Sequence, residues 1–116
     1  TTTAADMARL MRMIWRDEAG PAQACAGVRA VMGQQKLTRK IATGFTPDIR
    51  VAAKSGTVPG LISNDIGAVA YPDGHCYAIA ILTQALNPGS SLPTADSLIG
   101  TAAQMAVRHL HADQLT

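Results

Sequence analysis

Three stretches decide the fold: Ile49-Arg-Val-Ala-Ala-Lys-Ser-Gly-Thr57, Ile66-Gly-Ala-Val-Ala-Tyr71 and Cys76-Tyr-Ala-Ile-Ala-Ile-Leu-Thr83. Each is a short run of β-branched and small apolar residues bounded by turn formers. Pro59-Gly60 breaks the chain after the first run. Pro72-Asp73-Gly74 joins the second to the third, with glycine where a tight hairpin needs positive φ. The spacing predicts strands over about 49–56, 65–71 and 75–83 in an antiparallel meander. The last two runs are nearly continuous in apolar or small residues, which predicts a sheet covered on both faces.

Outward from these strands the period changes to that of helices. Toward the N-terminus, Thr3 is placed to cap a helix over about 3–17, with Asp6 in its first turn where negative charge is favoured. Met7, Leu10, Met11, Ile14 and Trp15 form its apolar stripe, and Arg9, Arg12 and Arg16 fall on the solvent side. Gly20-Pro21 is the expected stop and can begin the next helix. A second helix follows over about 22–32, with Val28, Val31 and Met32 together. A third is expected over about 34–43, with Leu37 and Ile41 one turn apart, Gly44 as its stop and Phe45 packing beneath. Toward the C-terminus, residues 84–93 read as a loop. Thr94 is the expected cap of a last helix over about 95–111, with Leu98, Ile99, Ala102, Ala106 and Leu110 along one side. Helices segregated from an antiparallel meander define an α+β class.

The chain has 116 residues, of which 47% are apolar, enough for a packed core and too many for general disorder. The aromatics are Trp15, Phe45, Tyr71 and Tyr77, too few for a base-stacking nucleic-acid surface. Residues 1–54 carry nine of the ten Lys/Arg and four of the eight acids, a net of +5, whereas residues 55–116 carry −3. The solvent-facing arginines of the first helix account for this asymmetry without a nucleic-acid partner. No apolar run approaches the ~20 residues that span a bilayer, and no signal peptide is visible, as would also hold for a trimmed secreted protein. Cys25 and Cys76 lack metal-ligand spacing and are expected as two buried free thiols. His109 and His111, two apart, do not share a helix face, and His75 lies in a turn; no metal or cofactor is expected.

The chemistry concentrates at Lys54-Ser55-Gly56-Thr57, at the end of the first strand, followed by Asn64-Asp65 and the hairpin. An ammonium beside a hydroxyl at a strand edge offers one charge and one donor to a carboxylate. A Lys-Ser/Thr-Gly strand of this kind is a signature of the serine β-lactamases and penicillin-binding proteins. The chain resembles the C-terminal half of a class A β-lactamase-like serine hydrolase over essentially its whole length. The threonine-started helix, the Asn64-Asp65 pair, the Tyr71-Pro-Asp-Gly turn and the C-terminal helix follow in the family's order.

That resemblance implies a β-lactamase/transpeptidase-like fold, of which this meander and its helices are part. It implies that Lys54 and Ser55 hold the substrate carboxylate, that Gly56 lets substrate approach the backbone, and that the Thr57 N–H is an oxyanion-hole donor. It further implies a secreted or periplasmic protein acting on a β-lactam or peptidoglycan-like small molecule. The chain contains no Ser-x-x-Lys and no Ser-Asp-Asn, and its only glutamate is Glu18. Alone it therefore supplies a substrate-binding wall but no nucleophile, and is expected to be inactive. Ser63 stands where many class A enzymes carry an arginine, which leaves Arg39 or Lys40 as a candidate carboxylate contact. A D-Ala-D-Ala peptidase, a glutaminase-like relative and a non-catalytic binding module that retains the fold remain alternatives. An unfinished sheet edge implies a complementary N-terminal half or a homo-oligomer.

Overall fold

The computed structural model describes residues 1–35, 39–85 and 92–115. Helix α1 runs Ala4–Trp15, and Thr3 caps it by accepting the Asp6 N–H at 3.1 Å. It ends before Gly20-Pro21. Asp17 takes φ 59, the Glu18 N–H reaches the Met13 carbonyl at 2.8 Å and the Asp17 N–H that of Ile14 at 3.4 Å. These paired bonds close the helix in the manner usually left to glycine, and aspartate is one of the few other residues that tolerates this backbone. Arg29 locks the corner, donating to the Ile14 carbonyl and to the Asp17 carboxylate, each at 2.7 Å. Gly20-Pro21 opens helix α2, Ala22–Gly33, as expected, with Pro21 as the N-cap residue.

The expected third helix is replaced, where described, by a single 3-10 turn, Ile41–Gly44; residues 36–38, including Leu37, lie outside the described residues. The Ile41 N–H is donated to the Asp65 carboxylate at 3.0 Å, so it is not available to a preceding helical carbonyl.

Strands β1 (Arg50–Val58), β2 (Ile62–Ala70) and β3 (Cys76–Gln84) form one antiparallel sheet in the order β1-β2-β3. A turn through Pro59 and Gly60, with Gly60 at φ 74 and the Leu61 N–H on the Val58 carbonyl, closes the first hairpin. The second turns through Pro72-Asp73-Gly74, with Gly74 at φ 94 as the sequence requires. β2 begins three residues before its expected start. Of the added residues Ser63 and Asn64 are polar, and their side chains find partners: Ser63 bonds Asp96 of the C-terminal helix at 3.2 Å, and Asn64 accepts the Thr83 N–H of β3 at 2.9 Å.

The sheet is covered on both faces, as the apolar runs predicted. In register, Val51, Val69 and Tyr77 oppose one another, as do Ala52, Ala68 and Ala78 on the other face. The first face joins Ile41, Val69, Ile79, Ile99, Ala103 and Val107, with Phe45 packed against them. The second joins Met11, Ile14, Cys25 and Met32 to Ala52, Ile66 and Ala78. Helices α1 and α2 therefore lie on one side, and helix α3 with the 3-10 turn on the other.

Helix α3 runs Leu92–Leu115 and begins two residues before Thr94, whose expected capping side chain lies outside the described side chains, as do loop residues 86–91. Its buried stripe is Ile99, Ala103 and Val107, while Leu98, Met105 and Leu110 are exposed. Ala102 and Ala106, expected to face inward, are exposed too. Gly100 and Ala103 are on the inner side, where the helix meets the 3-10 turn at contact distance. A Cβ on Gly44 would overlap the Gly100 carbonyl, and one on Gly100 would lie 2.9 Å from the Lys40 carbonyl. Gly44 thus serves close packing rather than ending a helix. In α2 the buried positions are Cys25 and Met32, with Val28 and Val31 exposed. Cys25 is a buried free thiol, whereas Cys76, expected to be buried, is exposed.

Candidate functional site

β1 is an edge strand, so alternate backbone N–H and C=O groups of its outer side are not used by β2. The strand brings Lys54, Ser55, Gly56 and Thr57 along that edge. Lys54 and Gly56 alternate with Ser55 and Thr57 across the two faces. Lys54 is exposed and its ammonium donates to the Ser55 carbonyl. A Cβ on Gly56 would meet nothing within 4 Å, so packing does not demand glycine there, and its absence leaves the strand surface flat.

Behind this edge lies a polar network that the sequence signature does not announce. Ser55 faces Asp65 across the register and donates its hydroxyl to the Asp65 carboxylate at 3.1 Å. The other carboxylate oxygen takes the Ile41 N–H. Asp65 is only 3% exposed, and that burial pushes its carboxyl above the usual range. The bonds from Ile41 and Ser55 and the nearby Lys40 and Lys54 charges act against the burial without cancelling it.

Lys40 is likewise buried. Its ammonium donates to the Thr57 hydroxyl at 2.8 Å, to the Asn64 carbonyl at 3.1 Å and to the Gly56 carbonyl at 3.4 Å. All three ammonium donors are engaged. Of the two basic residues named as candidate carboxylate contacts, Lys40 is thus tied directly to Thr57 and Gly56, while Arg39 is exposed beside it. The pairing of Asp65 with Ser55 and of Lys40 with Thr57 spans 10 and 17 residues of sequence, and no local pattern signals it.

A second cluster of ionisable groups gathers at the opposite end of the sheet. Asp73 and His75 in the β2–β3 turn meet His111 of α3. His111 is 34 residues from Tyr77, to whose hydroxyl it is bonded. The two-residue spacing of His109 and His111 is beside the point here, since His111 finds its partners on the hairpin.

Solved structures share this architecture. A class A beta-lactamase from Mycobacterium abscessus superposes with a TM-score of 0.86 at 19% identity, over 95% of this chain and 42% of that one. PBP-A superposes at 0.80 with 21% identity, over 92% of this chain and 39% of that one. At such identities these likenesses define the fold. A sequence relative is the "Beta-lactamase regulatory protein BlaB" of Streptomyces cacaoi, 31% identical over 85 residues, which are 72% of this chain and 27% of that protein. The Beta-lactamase enzyme family profile matches residues 1–110. The chain belongs to the beta-lactamase enzyme family. It spans about a quarter to two-fifths of the length of these relatives. Among the described residues no helix is long and apolar enough to cross a membrane.

Proposed function

We propose that this chain forms the substrate-carboxylate wall of a β-lactamase-like serine hydrolase, the nucleophile coming from residues outside this sequence. The observation that carries the reading is the bonded edge itself, with Lys54 exposed, Ser55 held by Asp65 and Thr57 held by Lys40. A carboxylate on a β-lactam or peptidoglycan-like ligand meets the Lys54 ammonium, a charge-assisted contact stronger than a neutral bond, and the Ser55 hydroxyl reaches it by turning from Asp65, to which it donates in the free chain. Gly56 leaves the backbone accessible. The Thr57 N–H then offers a donor to charge developing on the attacked carbonyl, where loss of one such donor costs on the order of 10²–10³ in rate. Lys40 acts through Thr57 as a positioning residue, supplying positive potential behind the hydroxyl rather than touching substrate. Where many class A enzymes carry a carboxylate-binding arginine, at Ser63, Lys40 thus supplies nearby positive charge and not a contact.

In this scheme an acyl-enzyme forms on the missing nucleophile, and the chain alone is inactive. PBP-A, which shares the fold, forms an acyl-enzyme with penicillin G in a mutant form. Family membership also supports a secreted or periplasmic site of action. The exposed edges of the sheet and the apolar outer stripe of α3 are covered, in this reading, by a complementary N-terminal half or by a second copy.

The test is acylation of the intact protein by a fluorescent penicillin. Lys54→Ala is expected to slow labelling at least about tenfold, the loss of a charge-assisted bond, and equal labelling of both proteins sinks the reading. A second reading is favoured by the regulatory relative from Streptomyces cacaoi: the edge binds a β-lactam as a signal, with no turnover. The two separate in one assay. The enzyme releases hydrolysed penicillin catalytically, whereas the sensor gives at most one equivalent or binds reversibly.

A further inference from the structure

We propose that Asp73, His75 and His111 form a divalent-metal site of the zinc class, which pins the β2–β3 turn to the end of α3. One ligand atom from each residue falls within a sphere in which all three lie within 4.8 Å of one another. His75 Nδ1 is 3.0 Å from one Asp73 oxygen and His111 Nε2 is 3.2 Å from the other. Zn–N and Zn–O bonds of about 2.0–2.2 Å at tetrahedral angles put neighbouring ligand atoms about 3.3 Å apart. Each histidine nitrogen already stands at about that distance from one oxygen of the Asp73 carboxylate, and all three pairs of ligand atoms lie within 4.8 Å.

The ligands are also oriented from behind. His111 Nδ1 lies 3.0 Å from the Tyr77 hydroxyl, which directs Nε2 toward Asp73. The ring is stacked on Tyr71, with centroids 3.7 Å apart and planes 15° from parallel. Such a partner on the far nitrogen fixes the imidazole in metal sites generally. Asp73 is held by the His75 N–H at 3.0 Å, within the turn that Gly74 makes possible. His75 Nδ1 is shielded from solvent and meets the Asp73 carboxylate at 3.0 Å without the geometry of a full hydrogen bond. A metal ion between them satisfies this nitrogen. Two imidazoles with one carboxylate suit zinc, nickel or copper rather than calcium or magnesium, which take oxygen ligands. The fourth position is left to water. The site lies away from the Lys54–Thr57 edge, at the other end of the strands, and is independent of the function proposed above.

The experiment is titration of the intact metal-stripped protein with Zn²⁺ by calorimetry, with Co²⁺ absorption as a second readout. Wild type is expected to take up one equivalent more than His75→Gln or His111→Gln, or to bind that equivalent at least about tenfold more tightly. Saturating Zn²⁺ is expected to raise the wild-type thermal midpoint by several degrees and to leave both variants unmoved. His75 lies on a half-exposed turn, so His75→Gln reports on binding even if His111→Gln loses the Tyr71 stack; far-UV circular dichroism checks both. His109→Gln and Cys76→Ser are expected to bind as wild type. Uptake unchanged in both histidine variants, no uptake at all, or uptake abolished by Cys76→Ser with a thiolate-to-Co²⁺ band overturns the proposal.

Discussion

Asp65 is the residue on which the candidate site turns. Its two oxygens hold Ser55 on one side and the start of the 3-10 turn on the other, so removing it releases both. Asp65→Ala is expected to destabilise the fold by about 2 kcal/mol, because the buried Ile41 N–H is left without an acceptor. Asp65→Asn is expected to cost less than about 1 kcal/mol, since an amide can accept from Ile41 and donate to Ser55. Denaturant melts of the two variants check the contrast. The carboxyl is raised by burial, so the native state holds its proton at a pH where the unfolded chain has released it. Stability is therefore expected to fall as pH rises from about 4 through the folded-state value, and this decline is absent in Asp65→Asn. Thermal midpoints at a series of pH values measure it. At this scale the sequence was legible where function is local. Lys54, Ser55, Gly56 and Thr57 are consecutive and announce themselves. Asn64-Asp65 and Lys40 stand out too, but the pairing of Asp65 with Ser55, of Lys40 with Thr57 and of Asp73 with His111 is assembled across strands and helices, and nothing in their immediate neighbours marks it.

Among the elements, the crossing of α3 over the 3-10 turn is the tightest. Gly44→Ala pushes a methyl into the Gly100 backbone, which cannot rotate away, and is expected to cost on the order of 1–3 kcal/mol or more. Gly27→Ala, an exposed position within α2 with nothing near its Cβ, is expected to stabilise by about 0.5–1 kcal/mol. Urea titrations of the two single variants should differ in sign. Helix α1 was readable because one apolar stripe faces the sheet, with Met11 and Ile14 buried and the arginines outside, although Leu10 of the expected stripe is exposed. Helix α3 misled because it carries apolar residues on both sides. Leu98 and Met105 are 63% and 68% exposed, while Ile99, Ala103 and Val107 are buried. Helical periodicity identifies a stripe but not which of two stripes is inside. The third helix failed for another reason: a distant carboxylate claims the N–H that a helix needs.

For the whole molecule, the outer stripe of α3 and the two free sheet edges make a surface that water suits poorly. The isolated 116-residue chain is expected to associate at micromolar concentration, and Leu98→Glu with Met105→Glu to reduce that association. Light scattering decides; a stable, monodisperse 12.1 kDa monomer would contradict the proposed covering partner. The three-stranded meander and the burial of both its faces were legible from unbroken apolar runs. What covers the outer surface was not, since exposed apolar residues look in sequence like any others.

The two-sided sheet also sets a timetable for synthesis. Once the ribosome has released residues up to Gln84, the face served by α1 and α2 has everything it needs. The other face has only Ile41 of the 3-10 turn and the adjoining Phe45 against it until Ile99, Ala103 and Val107 emerge. A nascent chain stalled between those points presents a half-covered apolar β-surface, and that is the interval in which chaperone engagement or irreversible clumping is decided.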